Sequence, residues 1–233
     1  MNKEFFLISS FTDTNDVIGR LHVSALNYIA DYLAGDVIPT KENIVSLIHN
    51  FIISESSSSN IDLSFLEALA YSGTSKSYQN KLGQDAVKFV TEMESLTMEF
   101  TKIGITEGID DMWDIPDTLN NAIKYFSFNV RRAGLSSDDL LVISSGTAIL
   151  SSGYAYWAEK FNSPSNNWKT WWTSVGYDIN VMRKKSATGE WLFQAASGGM
   201  SGVVAGKGFQ LTGWGAVAAS VFNVAIFAIY PEE

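Results

Sequence analysis

The chain has 233 residues, of which 46% are hydrophobic and 18% charged, with no cysteine and a formal net charge of -9. The missing thiols exclude a disulfide scaffold, an iron–sulfur cluster, a thiol nucleophile and any thiolate zinc site. A pI near 4.7 argues against a nucleic-acid backbone as partner, and a mean hydropathy of +0.05 lies between disordered chains and polytopic membrane proteins.

Charge is unevenly spread. Residues 1–120 carry 7 Lys/Arg against 18 Asp/Glu, whereas residues 121–233 carry 9 against 7 and six of the seven tryptophans. This asymmetry divides the chain into an acidic region, 1–134, and a near-neutral Trp/Gly-rich region, 135–233, expected to pack together as one unit. At the N-terminus a single Lys3 and the short apolar patch Phe5 to Ile8 make a poor secretory signal. The expectation is a cytoplasmic protein, or one exported by a signal-independent route.

Helical periodicity runs through the chain and alternating strand patterns are scarce. Asp16 to Leu33 carries Val17, Leu21, Leu26, Ile29, Tyr32 and Leu33 on one stripe, ended by Gly35. Pro39 and Thr40 open a second helix with Ile44, Leu47, Ile48, Phe51 and Ile52 inward. Ser54 to Asn60 reads as a loop, and Asp62 to Tyr71 as a short helix stopped by Gly73. Ser75 to Lys102 reads as one long helix, loosened by Gly104 and Gly108 into an acidic turn. A helix follows to Arg131 and Arg132, which complement its dipole before Gly134 ends it. Ser136 to Asp139 starts another, running to about Phe161 and broken by Ser163-Pro164-Ser165. Trp168 to Lys185 reads as a single helix, Thr188-Gly189 as a turn, and the apolar segments 191–206 and 211–230 close the chain. The sum is an all-α bundle of eight or nine helices.

Catalytic signals are absent. No P-loop, dinucleotide fingerprint, zincin helix or nucleophile elbow occurs. His22 and His49 sit in apolar helix patterns without a second ligand at metal spacing, as core or boundary histidines do. Asp110, Asp111, Asp114 and Asp117 fail the EF-hand spacing and read as acids favoured at a helix N-terminus. No enzyme, metal site or cofactor is expected. Trp168, Trp171 and Trp172 followed by Arg183, Lys184 and Lys185 interleave aromatics with bases. That pattern suits a core helix with a solvated basic end, or a lipid headgroup layer.

The strongest feature is apolar and small. Leu140 to Ala158, Trp191 to Gly206 and Leu211 to Tyr230 hold no charged residue. Gly198, Gly202 and Gly206 recur every four residues along one helix face, and Gly215, Ala219 and Asn223 repeat the spacing in the last segment. Glycine inside a helix costs about 1 kcal/mol against Ala. Such a face is tolerable only where another backbone packs tightly on it. A buried C-terminal apolar hairpin, turning at Lys207 to Gln210, is therefore expected.

Two resemblances rest on these residues. Asp16-Val17-Ile18-Gly19-Arg20-Leu21-His22-Val23-Ser24-Ala25-Leu26-Asn27-Tyr28, Ser151-Ser152-Gly153-Tyr154-Ala155-Tyr156-Trp157, the Trp171-Trp172 pair and the Gly/Ala-rich tail together resemble a family of uncharacterised bacterial helical proteins, which implies no activity. The plan of amphipathic helices ending in an apolar hairpin is similar to the pore-forming domain of colicins and related toxins. It implies a hairpin that is stored in a bundle and then inserted, without residue-level correspondence. The expected role is non-enzymatic membrane interaction through 191–230, with acid loosening the acidic bundle. The alternative is a soluble protein-binding or self-assembly role through the glycine-faced helices. The partners expected are membrane lipid or another protein, and not nucleic acid.

Overall fold

A computed structural model describes residues 11–33, 35–56, 61–72, 76–106, 116–186, 189–207 and 211–231. Ten α-helices occur among them, with no strand: α1 Phe11–Tyr32, α2 Lys41–Ser56, α3 Leu63–Ser72, α4 Gln84–Thr106, α5 Pro116–Arg132, α6 Ser137–Asn162, α7 Asn167–Ser174, α8 Ile179–Ser186, α9 Glu190–Gly206 and α10 Thr212–Ile229. A 3₁₀ turn, Lys76–Lys81, precedes α4.

Local chemistry sets several boundaries. The Thr40 hydroxyl accepts from the Asn43 amide at 3.2 Å while the Asn43 side chain accepts back from Thr40 N–H at 3.2 Å. Both are donors that the first turn of α2 would otherwise leave orphaned. Ser136 caps α6 through its hydroxyl, which accepts from Asp139 N–H at 3.1 Å and donates to Asp139 Oδ2 at 2.8 Å. The single helix expected over 168–185 is instead two, because Gly176 adopts φ +85° and turns the chain between α7 and α8. That split makes the count ten rather than eight or nine. The long helix expected from Ser75 starts only at Gln84, after the 3₁₀ turn and Gly83. Ser54 to Ser56 continue α2, with the Ser54 hydroxyl bonded to Phe51 O at 2.7 Å, so the serine loop begins later than its composition suggested.

Four helices form the centre. α9 packs along α10 and against α6, and α1 crosses both α6 and α10. α2 and α3 cover α10, α4 and α5 lie against α6, and α4 also reaches α9. One buried cluster draws residues from both halves, from Val17 and Ile48 to Trp157 and Phe222. At one end the rings of Trp157, Phe161, Trp168, Trp172 and Trp191 meet, Trp157 standing 5.4 Å from Trp168 and 5.0 Å from Trp191. Aromatic contacts of this kind add to the burial of large apolar surfaces.

Candidate functional site

The candidate site is α10 and what holds it. Its 18 residues have a mean hydropathy of 1.6, and 83% of them are buried. Among the described residues it is the one helix long and apolar enough to cross a membrane by length and composition. The 191–206 segment, now α9, and the 140–158 segment within α6 do not reach that standard.

The glycine spacing brings backbones together where the sequence places it. A Cβ on Gly202 would stand 1.9 Å from the carbonyl oxygen of Gly215, and one on Gly215 would stand 2.2 Å from that of Gly202. Gly198 faces Ala219 and the amide of Asn223, at 2.7 and 2.9 Å, and Gly206 faces Leu211 at 2.7 Å. Rising numbers on α9 thus meet falling numbers on α10, and the two helices run in opposite directions. The connection at 208–210 lies outside the described residues. All six predicted small-face positions, Gly198, Gly202, Gly206, Gly215, Ala219 and Asn223, meet in this one interface. Asn223 also donates from Nδ2 to Gln194 O at 3.2 Å, satisfying a polar side chain in an apolar seam. On the far face of α9, Gly146 of α6 abuts Met200 and Ala196, and Gly199 abuts Ile149.

The middle of α10 is tied to α1 by a buried histidine. His22 Nδ1 lies 2.9 Å from Ser220 Oγ. Ser220 donates its hydroxyl proton to Val217 O at 3.1 Å, so its lone pair accepts from an Nδ1–H tautomer of His22. Nε2 is then left a buried acceptor without a partner, 3.6 Å from where a Cβ on Gly153 would sit. Full burial with no compensating charge pulls the imidazole pKa down from 6.5 to about 3. His22 is therefore neutral and strongly resists protonation. His49 is different: its Nε2–H donates to Ile61 O at 2.8 Å and joins α2 to the start of α3.

The Trp and basic positions part company. Trp168, Trp171 and Trp172 are 0%, 2% and 0% exposed, so their rings belong to the core and offer no face to a headgroup layer in this conformation. Their i, i+3, i+4 spacing already marks an inward helix stripe. Trp172 has a further task, donating from Nε1 to Ala228 O at 2.8 Å. Tyr177 Oη donates to Ile229 O at 3.1 Å, and Lys185 Nζ donates to Pro231 O. These three side chains of the α7–α8 region serve carbonyls at the C-terminal end of α10, which lack intrahelical donors. Tyr230 Oη reaches Pro39 O before α2. Arg183 donates to Asn162 Oδ1 at 3.0 Å at the end of α6, and Lys184 is exposed.

No group of three metal-ligating side chains occurs among the described residues. Asp110, Asp111 and Asp114 lie outside them, and Asp117 falls in the first turn of α5. Sequence reasoning missed the His22–Ser220 bond and the Trp172 contact with α10. Partners 198 and 56 residues away leave no local signal. Comparison of the chain with family models, with curated proteins and with solved structures finds no match to any of them.

Proposed function

We propose that this is a non-enzymatic membrane-interacting protein, pore-forming-like in plan, which stores its C-terminal helices and delivers them to a bilayer as a hairpin over 191–230. The observation that carries this reading is α10, an uncharged helix of 18 residues with mean hydropathy 1.6 at the centre of the bundle. At 1.5 Å per residue it is about 27 Å long, close to the thickness of a bilayer's hydrocarbon core.

The α9–α10 seam suits both environments. Its glycine contacts are backbone against backbone and rest on van der Waals packing, which persists where lipid replaces water. The Asn223–Gln194 bond travels with the pair, so insertion need not expose that amide. The contacts left behind are those to other helices: His22 at the middle, and Trp172, Tyr177 and Lys185 at the end. Release requires these to break together, and acid weakens the first of them because a charged imidazole cannot stay buried unpaired.

A second reading, protein binding or self-assembly, is favoured by the exposed Tyr32, Val37 and Ile38 where the chain leaves α1, at 59%, 68% and 42% exposure. Because the glycine faces already occupy one another, assembly would use this patch instead.

The test is release of a trapped dye from vesicles of phosphatidylglycerol and phosphatidylcholine between pH 7 and pH 4. Release that grows with acidity supports insertion. Intact vesicles at every pH, together with a stable dimer by light scattering that Val37→Asp and Ile38→Asp abolish, would favour the second reading.

A further inference from the structure

A groove of about 350 Å³ runs between α5 and α6, away from the α9–α10 seam. Its α5 wall carries Lys124, Ser127 and Arg131, and its α6 wall carries Ser144, Thr147 and Ser151. Spacings of three, four and seven residues place each set on one helix face, turned toward the other. No carboxylate lines the groove, which is unusual on a chain of net charge -9. Neither Lys124 nor Arg131 has an ion-pair partner among the described residues. Arg131 complements the dipole in the last turn of α5, but Lys124 stands two turns earlier, where the dipole gives no such reason for a cation.

Most hydroxyls of the groove are unspent as well among the described residues. Thr147 donates back to Ile143 O at 2.8 Å, but the hydroxyls of Ser127, Ser144 and Ser151 have no hydrogen-bond partner among the described residues. Ser144 is only 7% exposed as a residue and lines the groove, so what remains accessible of it faces this cavity.

From these observations we infer that the α5–α6 groove binds a phosphate group. Lys124 and Arg131 are about 10 Å apart along the helix axis, a span that their long side chains can close around one oxyanion. A phosphate offers up to two negative charges and several acceptor oxygens, matched here by an Arg fork, an ammonium and free serine hydroxyls. The volume fits a small phosphoester or the headgroup of a phospholipid. The inference does not depend on the insertion of α10.

The test titrates the full chain at constant ionic strength and pH 7 with inorganic phosphate, and separately with vesicles containing phosphatidic acid or phosphatidylcholine alone. Saturable phosphate binding is expected. It should weaken about tenfold or more in the Lys124→Gln/Arg131→Gln variant and severalfold in Ser144→Ala, which leaves the charge unchanged. Both variants alter groove-lining positions outside the α9–α10 seam, and unchanged circular dichroism establishes that they fold. Binding only to phosphatidic acid vesicles, with the same dependence on all three residues, assigns the site to a lipid headgroup. Binding that is absent, or indifferent to both variants, overturns the proposal.

Discussion

Gly202→Ala is the sharpest perturbation of the α9–α10 seam. The added methyl would lie 1.9 Å from the Gly215 oxygen, 2.3 Å from its carbonyl carbon and 2.8 Å from the Ala216 nitrogen. All three are backbone atoms of a helix, so no rotamer change relieves the overlap. Reaching ordinary contact near 3.4 Å would part the helices by roughly 1.5 Å, loosening the Gly198–Ala219 and Gly206–Leu211 contacts on either side. Alanine returns about 1 kcal/mol of helix propensity. Overpacking costs about 1–3 kcal/mol where side chains can adjust, and more where only backbones can move. The net expectation is a loss of about 2–4 kcal/mol, or a fall in Tm of roughly 5–15 °C for a chain of this size. Gly153→Ala is the control, because its Cβ would find its nearest neighbours at 3.6 and 3.7 Å, an ordinary contact, and should be neutral or stabilising. Urea and thermal unfolding, followed by circular dichroism and Trp fluorescence, measure both. A Gly202→Ala protein as stable as its Gly153→Ala counterpart would refute the packing argument.

Other substitutions and pH test the remaining ties. Since the pKa of His22 is about 3 folded and 6.5 unfolded, the unfolded chain takes up the proton first as pH falls. Stability is at its full value well above pH 6.5, is about 2 kcal/mol lower by pH 5, and continues to fall toward pH 3. Urea midpoints across this range should flatten in His22→Leu, and parallel curves for the two proteins would count against the buried imidazole as the cause. Trp172→Phe keeps an aromatic side chain but strands the buried Ala228 carbonyl and leaves part of the indole volume empty, which predicts a loss of about 2–4 kcal/mol in chemical denaturation. Ser136→Ala removes the α6 cap and should cost about 1 kcal/mol, measured the same way.

How much could be read from the residues depended on how far apart the interacting groups lie. The α2 start at Thr40 and the α6 start at Ser136 follow from capping chemistry within four residues, and both are found there. The glycine face of α9 was legible because helical spacing projects Gly198, Gly202 and Gly206 onto one line, and only another backbone can fill it. The break at Gly176 was not legible, because the apolar spacing continues on both sides and left-handed backbone is visible only once folded. The tryptophans of α7 carried a core spacing, but their neighbouring bases also suited an interface; in this fold the three rings are buried. The α5–α6 groove had a readable element, Lys124 and Arg131 seven apart opposite Ser144 and Ser151 seven apart, yet which faces meet depends on packing.

On the proposed function, α10 is stored in protein surroundings and passes into lipid. A lipid-phase photolabel carried in phosphatidylglycerol vesicles, with the labelled residues mapped by mass spectrometry, tests it directly. At pH 7 Thr212–Ile229 should remain unlabelled, and at pH 4 to 5 the label should enter this helix along its length. Labelling that never reaches α10 at any pH, while vesicles are present in excess, would contradict the account.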